Sequence, residues 1–334
     1  MATLYENDVN PALILDRKVA VLGFGAQGRA HALNLKESGV DVVVGLRDGS
    51  ASAAACRHAG VSARPIADAV SSADVVMMLV PDEAQAGVHA VVVDPLLRPG
   101  SALLFAHGYN VHFDLIHPRA DLDVLMVAPL GIGDQVRERY ADGGGVPALL
   151  AVHHDATGDA AAIGASYAWA NGHARAGIIE TSFRDETETD LFAEQVVLCG
   201  GLTHLISNAF DTLVDAGYPE ELAYFSCLHE VKLIADLIYR RGIAGMRESI
   251  SSTAEYGDYT RGPRVIGAGS RLAMSEILNE IRNGSFSHEL AGEFRDGMPV
   301  LKKGRAAARG HKIEQVGARL RDTMVGFQPG KDED

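Results

Sequence analysis

The segment Val19–Gly28 reads Val-Ala-Val-Leu-Gly-Phe-Gly-Ala-Gln-Gly and sets three glycines in the spacing Gly-x-Gly-x-x-Gly directly after an apolar run. Where a strand turns into a helix, that spacing can cradle a dinucleotide. Gly23 permits the tight turn, Gly25 lets the backbone approach a pyrophosphate, and Gly28 lets helix and strand pack closely. The helix start supplies unpaired N–H groups and a positive dipole end for the phosphates. The motif alone is weak, because glycine turns of purely structural use share it. A second apolar run that begins about 20 residues later, at Asp41, supplies the context a nucleotide-binding unit requires. Cofactor contacts are therefore expected from Gly23, Phe24, Gly25, Ala26, Gln27 and Gly28.

The second run ends Val-Val-Gly-Leu-Arg-Asp-Gly-Ser-Ala-Ser over residues 43–52. An acidic residue at that strand end suits the ribose 2′-hydroxyl of NAD, whereas a 2′-phosphate wants a guanidinium and hydroxyl donors. Arg47, Ser50 and Ser52 are the second kind, so NADPH is expected ahead of NADH. Asp48 is discordant; turned inward it would repel the phosphate. A solvated Arg/Ser loop is the plain alternative.

A third pattern is acidic: Arg-Asp-Glu-Thr-Glu-Thr-Asp over residues 184–190, with Glu194 following. Asp190 and Glu194 are four residues apart, so on a helix they share a face and can converge on a hard cation such as Mg2+. The alternative is a solvated acidic helix start stabilised by the helix dipole.

These residues need elements to position them. Short Val/Ala/Leu-rich runs recur at Lys18–Gly23, Asp41–Leu46, Asp74–Val80, Ser101–Ala106, Asp123–Pro129, Val146–Val152 and Ala176–Thr181. Continuous apolar runs of that length, separated by helix-sized segments, read as strands buried on both faces of a parallel sheet. The expected fold is α/β, a doubly wound Rossmann-type domain over residues 1–182. Beyond Phe183 helical spacing takes over, as in Glu188–Ala216 and Glu220–Arg241. An all-helical domain is expected over 183–327, with a loose tail at 328–334.

The chain has 334 residues, 47% hydrophobic and 22% charged, enough for two domains with their own cores. A formal net charge of −14 repels phosphate backbones and anionic lipid surfaces, so neither nucleic acid nor membrane is an expected partner. The first residues lack a basic and apolar leader pattern, and no apolar run approaches the ~20 residues of a spanning helix. A cytoplasmic enzyme fits. Cys56, Cys199 and Cys227 are odd in number and far apart, which suggests structural thiols. Trp169 reads as packing, His153, His154 and His173 as surface or packing residues, and Lys302, Lys303, Arg305 and Arg309 as a solvated face.

Five blocks carry a resemblance. They are Gly-Phe-Gly-Ala-Gln-Gly-Arg-Ala-His-Ala-Leu-Asn-Leu from Gly23, Val-Pro-Asp-Glu from Val80, Ala-His-Gly from Ala106, Asp-Glu-Thr-Glu-Thr-Asp-Leu-Phe-Ala-Glu-Gln from Asp185, and Ser-Ile-Ser-Ser-Thr-Ala-Glu-Tyr-Gly-Asp from Ser249. In this order they resemble the short, class I form of ketol-acid reductoisomerase. The resemblance implies an NADP-binding Rossmann domain, a helical domain interlocked with that of a second subunit, and active sites shared within a homodimer. It also implies two magnesium ions that polarise a hydroxyl and a keto oxygen, drive an alkyl shift, and hold the product for hydride transfer. Carried over by position, Asp190 and Glu194 match metal ligands, and Glu230 matches a ligand reaching in from the partner. Ser251 matches a substrate-carboxylate contact and His107 a residue beside the nicotinamide. Asp82, Gln85 and Gly133 match cofactor contacts.

Two positions depart from the family. Where it carries a second pair of acids four residues apart, this chain has Ser226 before Glu230; where it has Pro-Lys-Gly-Pro-Gly-His, this chain has Pro129-Leu130-Gly131-Ile132-Gly133-Asp134. A hydroxyl cannot neutralise a dication, so a second metal should bind weakly or not at all. Leu130 removes a cation beside the reacting oxygens. The expectation is a reductase that hydrogenates a keto or imine carbon of a small carboxylate-bearing substrate, with isomerisation weakened or lost. The alternatives are a genuine isomeroreductase converting 2-acetolactate to 2,3-dihydroxy-isovalerate, and a non-catalytic dinucleotide-binding protein.

Overall fold

The computed structural model describes residues 2–323, so the tail expected at 328–334 lies outside the described residues. The chain divides into a first unit that ends at Thr189 and a second that begins at Asp190.

In the first unit the strands β1 (Thr3–Leu4), β2 (Lys18–Leu22), β3 (Asp41–Leu46), β4 (Ala63–Pro65), β5 (Val75–Met78), β6 (Ala102–Phe105), β7 (Asp123–Pro129), β8 (Ala148–His154) and β9 (Ile178–Glu180) form one sheet. Their order is β1-β9-β8-β7-β6-β5-β2-β3-β4. Side chains alternate between two cores, as burial on both faces demands. Along β2, Val19 and Val21 join Met77, Leu104 and Leu125 on one side, while Ala20 and Leu22 join Met78, Leu103 and Phe105 on the other. Flanking helices are α1 (Ala26–Glu37), α2 (Ser52–His58), α3 (Ile66–Ser72), α4 (Asp82–Val88), α5 (Gly133–Ala141) and α6 (Ala160–Ala170).

The sheet is mixed, not wholly parallel as the apolar runs suggested. β4, β3, β2, β5, β6 and β7 are parallel, but β8 runs antiparallel to β7, and β1 antiparallel to β9. The connection after β7 does not cross the sheet: α5 packs on α1, and the Leu130 N–H donates to the Pro147 carbonyl at 2.8 Å, so the chain re-enters at the edge it left. A run buried on both faces looks the same in either direction, which is why sequence could not show the reversal. Strands β1 and β4, two and three residues long, are too short to register as runs.

Helix α7 (Phe183–Ala193) begins in the first unit and runs into the second, where it leads through a π-helical turn, Glu194–Leu198, into α8 (Gly200–Asp215). After a short helix at Glu220–Tyr224 and a second π turn at Phe225–His229 come α9 (Glu230–Arg247) and α10 (Ser252–Val265), then further helices to Thr323. Phe210, Ala223, Tyr224, Ile313 and Val316 form its buried core. The run Phe183–Asp215 contains an 18-residue window of mean hydropathy 1.2, which length and composition alone would allow to cross a membrane.

Two histidines tie the first unit together. His31 on α1 and His173 after α6 are fully buried with ring centroids 6.2 Å apart; His31 Nδ1 lies 2.8 Å from the Tyr167 hydroxyl, and His173 Nδ1 lies 2.6 Å from the Val146 carbonyl, to which it donates. Burial disfavours the imidazolium and lowers His31 to about 3 and His173 to about 4. The unfolded chain takes up protons at these sites below its ordinary value of 6.5, while the folded chain does so only near 3 to 4. Stability is therefore fully present above pH 6.5 and is lost progressively as pH falls toward 4. Urea denaturation between pH 7 and 4.5 should show this slope, and His31→Asn should make it shallower by about one proton; an unchanged slope would contradict the assignment.

Candidate active site

The glycine-rich turn is built by backbone contact. Gly23 has φ +104°, and a Cβ there would sit 2.6 Å from the Leu79 carbonyl oxygen; at Gly28 it would sit 2.4 Å from that of Gly23. Both positions need glycine to fold. Gly25 differs, since a Cβ added there meets nothing within 4 Å. That open face at the N-terminus of α1 is where a pyrophosphate can approach bare backbone, so the loop fits a dinucleotide. Phe24 is buried beneath it.

The loop after β7 clamps this turn from the side. Gln27 Nε2 donates to the Gly131 carbonyl at 2.9 Å, and a Cβ on Gly133 would fall 2.3 Å from the Ala26 carbonyl carbon. Gly133 thus supports the cradle from behind. Gln85 acts similarly after β5: it is buried, its Nε2 donates to the Val80 carbonyl and to Asp82 Oδ1, and its Oε1 accepts from Asn110 Nδ2. Asn110 also donates to the Asp82 carbonyl. No motif pointed to Asn110, which the fold alone brings under this loop. At the end of β3, Arg47 and Asp48 are exposed on a turn closed by the Ser50 N–H donating to the Arg47 carbonyl; the Ser50 hydroxyl oxygen accepts from the Ser52 N–H.

His107, two residues past β6, has its Nδ1 2.8 Å from Glu186 Oε1 on α7, and Glu186 Oε2 accepts the Gly108 N–H at 2.8 Å. A carboxylate with two anchored oxygens fixes the imidazole's orientation and keeps its proton on Nδ1. Glu186 is buried to 4% exposure and was not singled out from the sequence. Its signal was present in the acidic run, four residues before Asp190 on the same helix. Oxygens of Glu186 and Asp190 lie within 4.8 Å of one another. Carboxylates that close repel unless a cation or proton intervenes. Hard oxygen donors of this kind fit Mg2+.

Asp190 and Glu194 do not lie on one regular helix, because the π turn begins at Glu194. Such turns often mark functional positions. Glycines accommodate it: a Cβ at Gly200 or Gly201 would fall 2.1 or 1.9 Å from the carbonyl oxygen five residues earlier. Ser226 sits in the second π turn, exposed, and Glu230 opens α9, also exposed. The Ser251 hydroxyl caps α10 by accepting the Ala254 N–H at 3.2 Å. Leu130 and Ile132 are exposed at the carboxyl edge of the sheet.

Residues 13–177 match the model of the acetohydroxy acid isomeroreductase NADPH-binding domain, and residues 183–325 match that of the ketol-acid reductoisomerase C-terminal domain. The chain belongs to the ketol-acid reductoisomerase family. It is 42% identical to a solved NADH-preferring ketol-acid reductoisomerase from an uncultured archean, with TM-score 0.95, covering 97% of this chain and 100% of that one. Two more distant structures share the fold alone. They are an NAD-binding semialdehyde dehydrogenase protein from Cupriavidus necator (19% identity, TM-score 0.63, 80% of this chain and 99% of that one) and an oxidoreductase from Jannaschia sp. CCS1 (16%, 0.59, 79% and 97%). As a member of that family the chain is an NAD(P)-dependent oxidoreductase, and the glycine turn lies within the stretch that matches the NADPH-binding domain.

Gly25→Ala tests that cradle. Its Cβ enters open space, so melting temperature should hold, while NADPH affinity measured by fluorescence titration should fall roughly tenfold through loss of backbone approach. Undiminished affinity would place the pyrophosphate elsewhere.

Proposed function

We propose that this protein uses NADPH to reduce a keto or imine carbon of a small carboxylate-bearing substrate, with the isomerase step of its family weakened or lost. The observation that carries the reading is that the chain has Ser226 and Leu130 at the two altered positions and keeps the His107–Glu186 pair. Alkyl migration needs an alkoxide and a carbonyl polarised together, which calls for two cations and the acids that hold them. Hydride transfer needs positioning and stabilisation of one developing oxyanion.

Asp190, Glu194 and Glu230 would hold Mg2+, and the ion when bound would polarise the carbonyl oxygen. Glu230 is assigned to the site of a partner subunit, in a cytoplasmic homodimer. The Ser251 hydroxyl oxygen already accepts its capping bond, which leaves its O–H to donate to the substrate carboxylate. His107, oriented by Glu186, stands beside the nicotinamide. Gly23, Gly25 and Gly28, with Phe24, Ala26 and Gln27 around them, support the dinucleotide; Asp82, Gln85 and Gly133 shape the loops that flank it.

NADPH rather than NADH follows from Arg47, Ser50 and Ser52, with Asp48 solvated on its turn. Arg47→Ala should raise the KM for NADPH roughly tenfold, the loss of a charge-assisted hydrogen bond, and leave that for NADH nearly unchanged. Equal effects on both cofactors would reverse the assignment.

The close overlap with an isomeroreductase over 97% of the chain favours a second reading, the family's complete reaction. One assay separates the two. With NADPH and magnesium, 2-acetolactate should be consumed slowly or not at all, while a 2-keto acid that needs no rearrangement is reduced. The double variant Ser226→Glu with Leu130→Lys should gain isomerisation. Turnover of 2-acetolactate by the parent protein near ~10 per second, an ordinary enzymatic rate, establishes the second reading instead.

A further inference from the structure

The loop that follows β7 presents two apolar side chains to solvent at the edge where the cofactor binds. Leu130 is 52% exposed and Ile132 65%. Neither can turn into the core, because the backbone on both sides is pinned: the Leu130 N–H donates to Pro147, the Gly131 carbonyl accepts from Gln27, and Gly133 lies against Ala26. Gly131 between them faces Val146, which a Cβ there would approach to 3.1 Å. Strands β6 and β7 are parallel neighbours with Phe105 opposite Met126, so their carboxyl ends bring His107 and Leu130 to the same edge of the sheet. Apolar surface held rigidly next to a few directed polar groups is what a small-molecule pocket offers to a ligand's hydrocarbon part.

We infer that Leu130 and Ile132 form the subsite for the substrate's side chain, and that the substrate is a 2-keto acid whose chain beyond the reacting carbon is an unsubstituted hydrocarbon of several carbons. The inference rests on the reductase reading above and narrows it. An ammonium at position 130 would favour a second oxygen beside the carbonyl, and leucine at that position leaves such an oxygen without a counter-charge. Each methylene withdrawn from water against this rim adds about a fourfold gain in affinity.

The test uses the full-length protein with NADP+ and magnesium, so that no hydride can move, and titrates pyruvate, 2-oxobutanoate, 2-oxopentanoate and 2-oxohexanoate by calorimetry. Kd should fall about fourfold per methylene. Leu130→Lys, and separately Ile132→Lys, should flatten the series to less than about twofold per methylene, with thermal denaturation confirming that each variant is folded. A flat series in the parent protein, or a slope that survives both substitutions, overturns the inference. NADPH oxidation across the same acids is read in parallel. A retained gradient in Kd without oxidation of NADPH by any member overturns the reductase reading and leaves the subsite standing.

Discussion

Backbone touching backbone at the carboxyl edge of the sheet is the constraint on which the rest of the first unit depends. Gly23 lies against the Leu79 carbonyl, Gly28 against Gly23, and Gly133 against Ala26, each closer than any side chain would permit. Three strand ends, those of β2, β5 and β7, are thereby locked into one surface. Where no Cβ intervenes, the peptide dipoles stay exposed and the N-terminus of α1 can act on a phosphate directly. The same contacts fix α5 on α1, and with it the antiparallel return of β8.

The polar residues around this edge are each held by a second residue. Glu186 anchors His107, Asn110 and Gln85 brace the loop after β5, and Gln27 ties the cradle to the loop after β7. Preorganisation of this kind makes a site cheap to use, because orienting the groups has already been done by folding. In the second unit the π turns play a comparable part. By adding a residue to the helical repeat at Glu194 and again at Phe225–His229, they redirect the side chains that follow.

Much of this was legible in the chain because it is local. The β2-turn-α1 unit, the strand runs at Asp41–Leu46 and Asp123–Pro129, and the change to helical texture after Phe183 follow from apolar runs, glycine spacing and periodicity. What escaped is what depends on direction or on distant pairing. The reversal of β8 leaves no mark on a run buried on both faces. Glu186 meets His107 across 79 residues of chain, and within its own segment it is one acid among several. The π turns were hidden because Asp190 and Glu194 have the spacing of an ordinary helix; the cue lay in Gly200–Gly201, whose reason becomes clear only from the backbone carbonyls they must pass.

On the proposed reading, the two departures from the family act in opposite senses on charge and so cohere. Removing an acid alone would leave a cation site under-neutralised and an ammonium beside it repelling the ion; removing the ammonium alone would leave surplus carboxylates to be satisfied. On the proposed reading, losing both would nearly keep the charge balance, and Asp190, Glu194 and Glu230 would face a smaller demand. Stabilising one developing oxyanion requires less positive charge than holding an alkoxide and a carbonyl in register during carbon migration. Leu130 and Ile132 are apolar on the loop that Gln27 ties to the glycine turn, so on the proposed reading the exchange would trade polarisation of a second oxygen for contact with hydrocarbon.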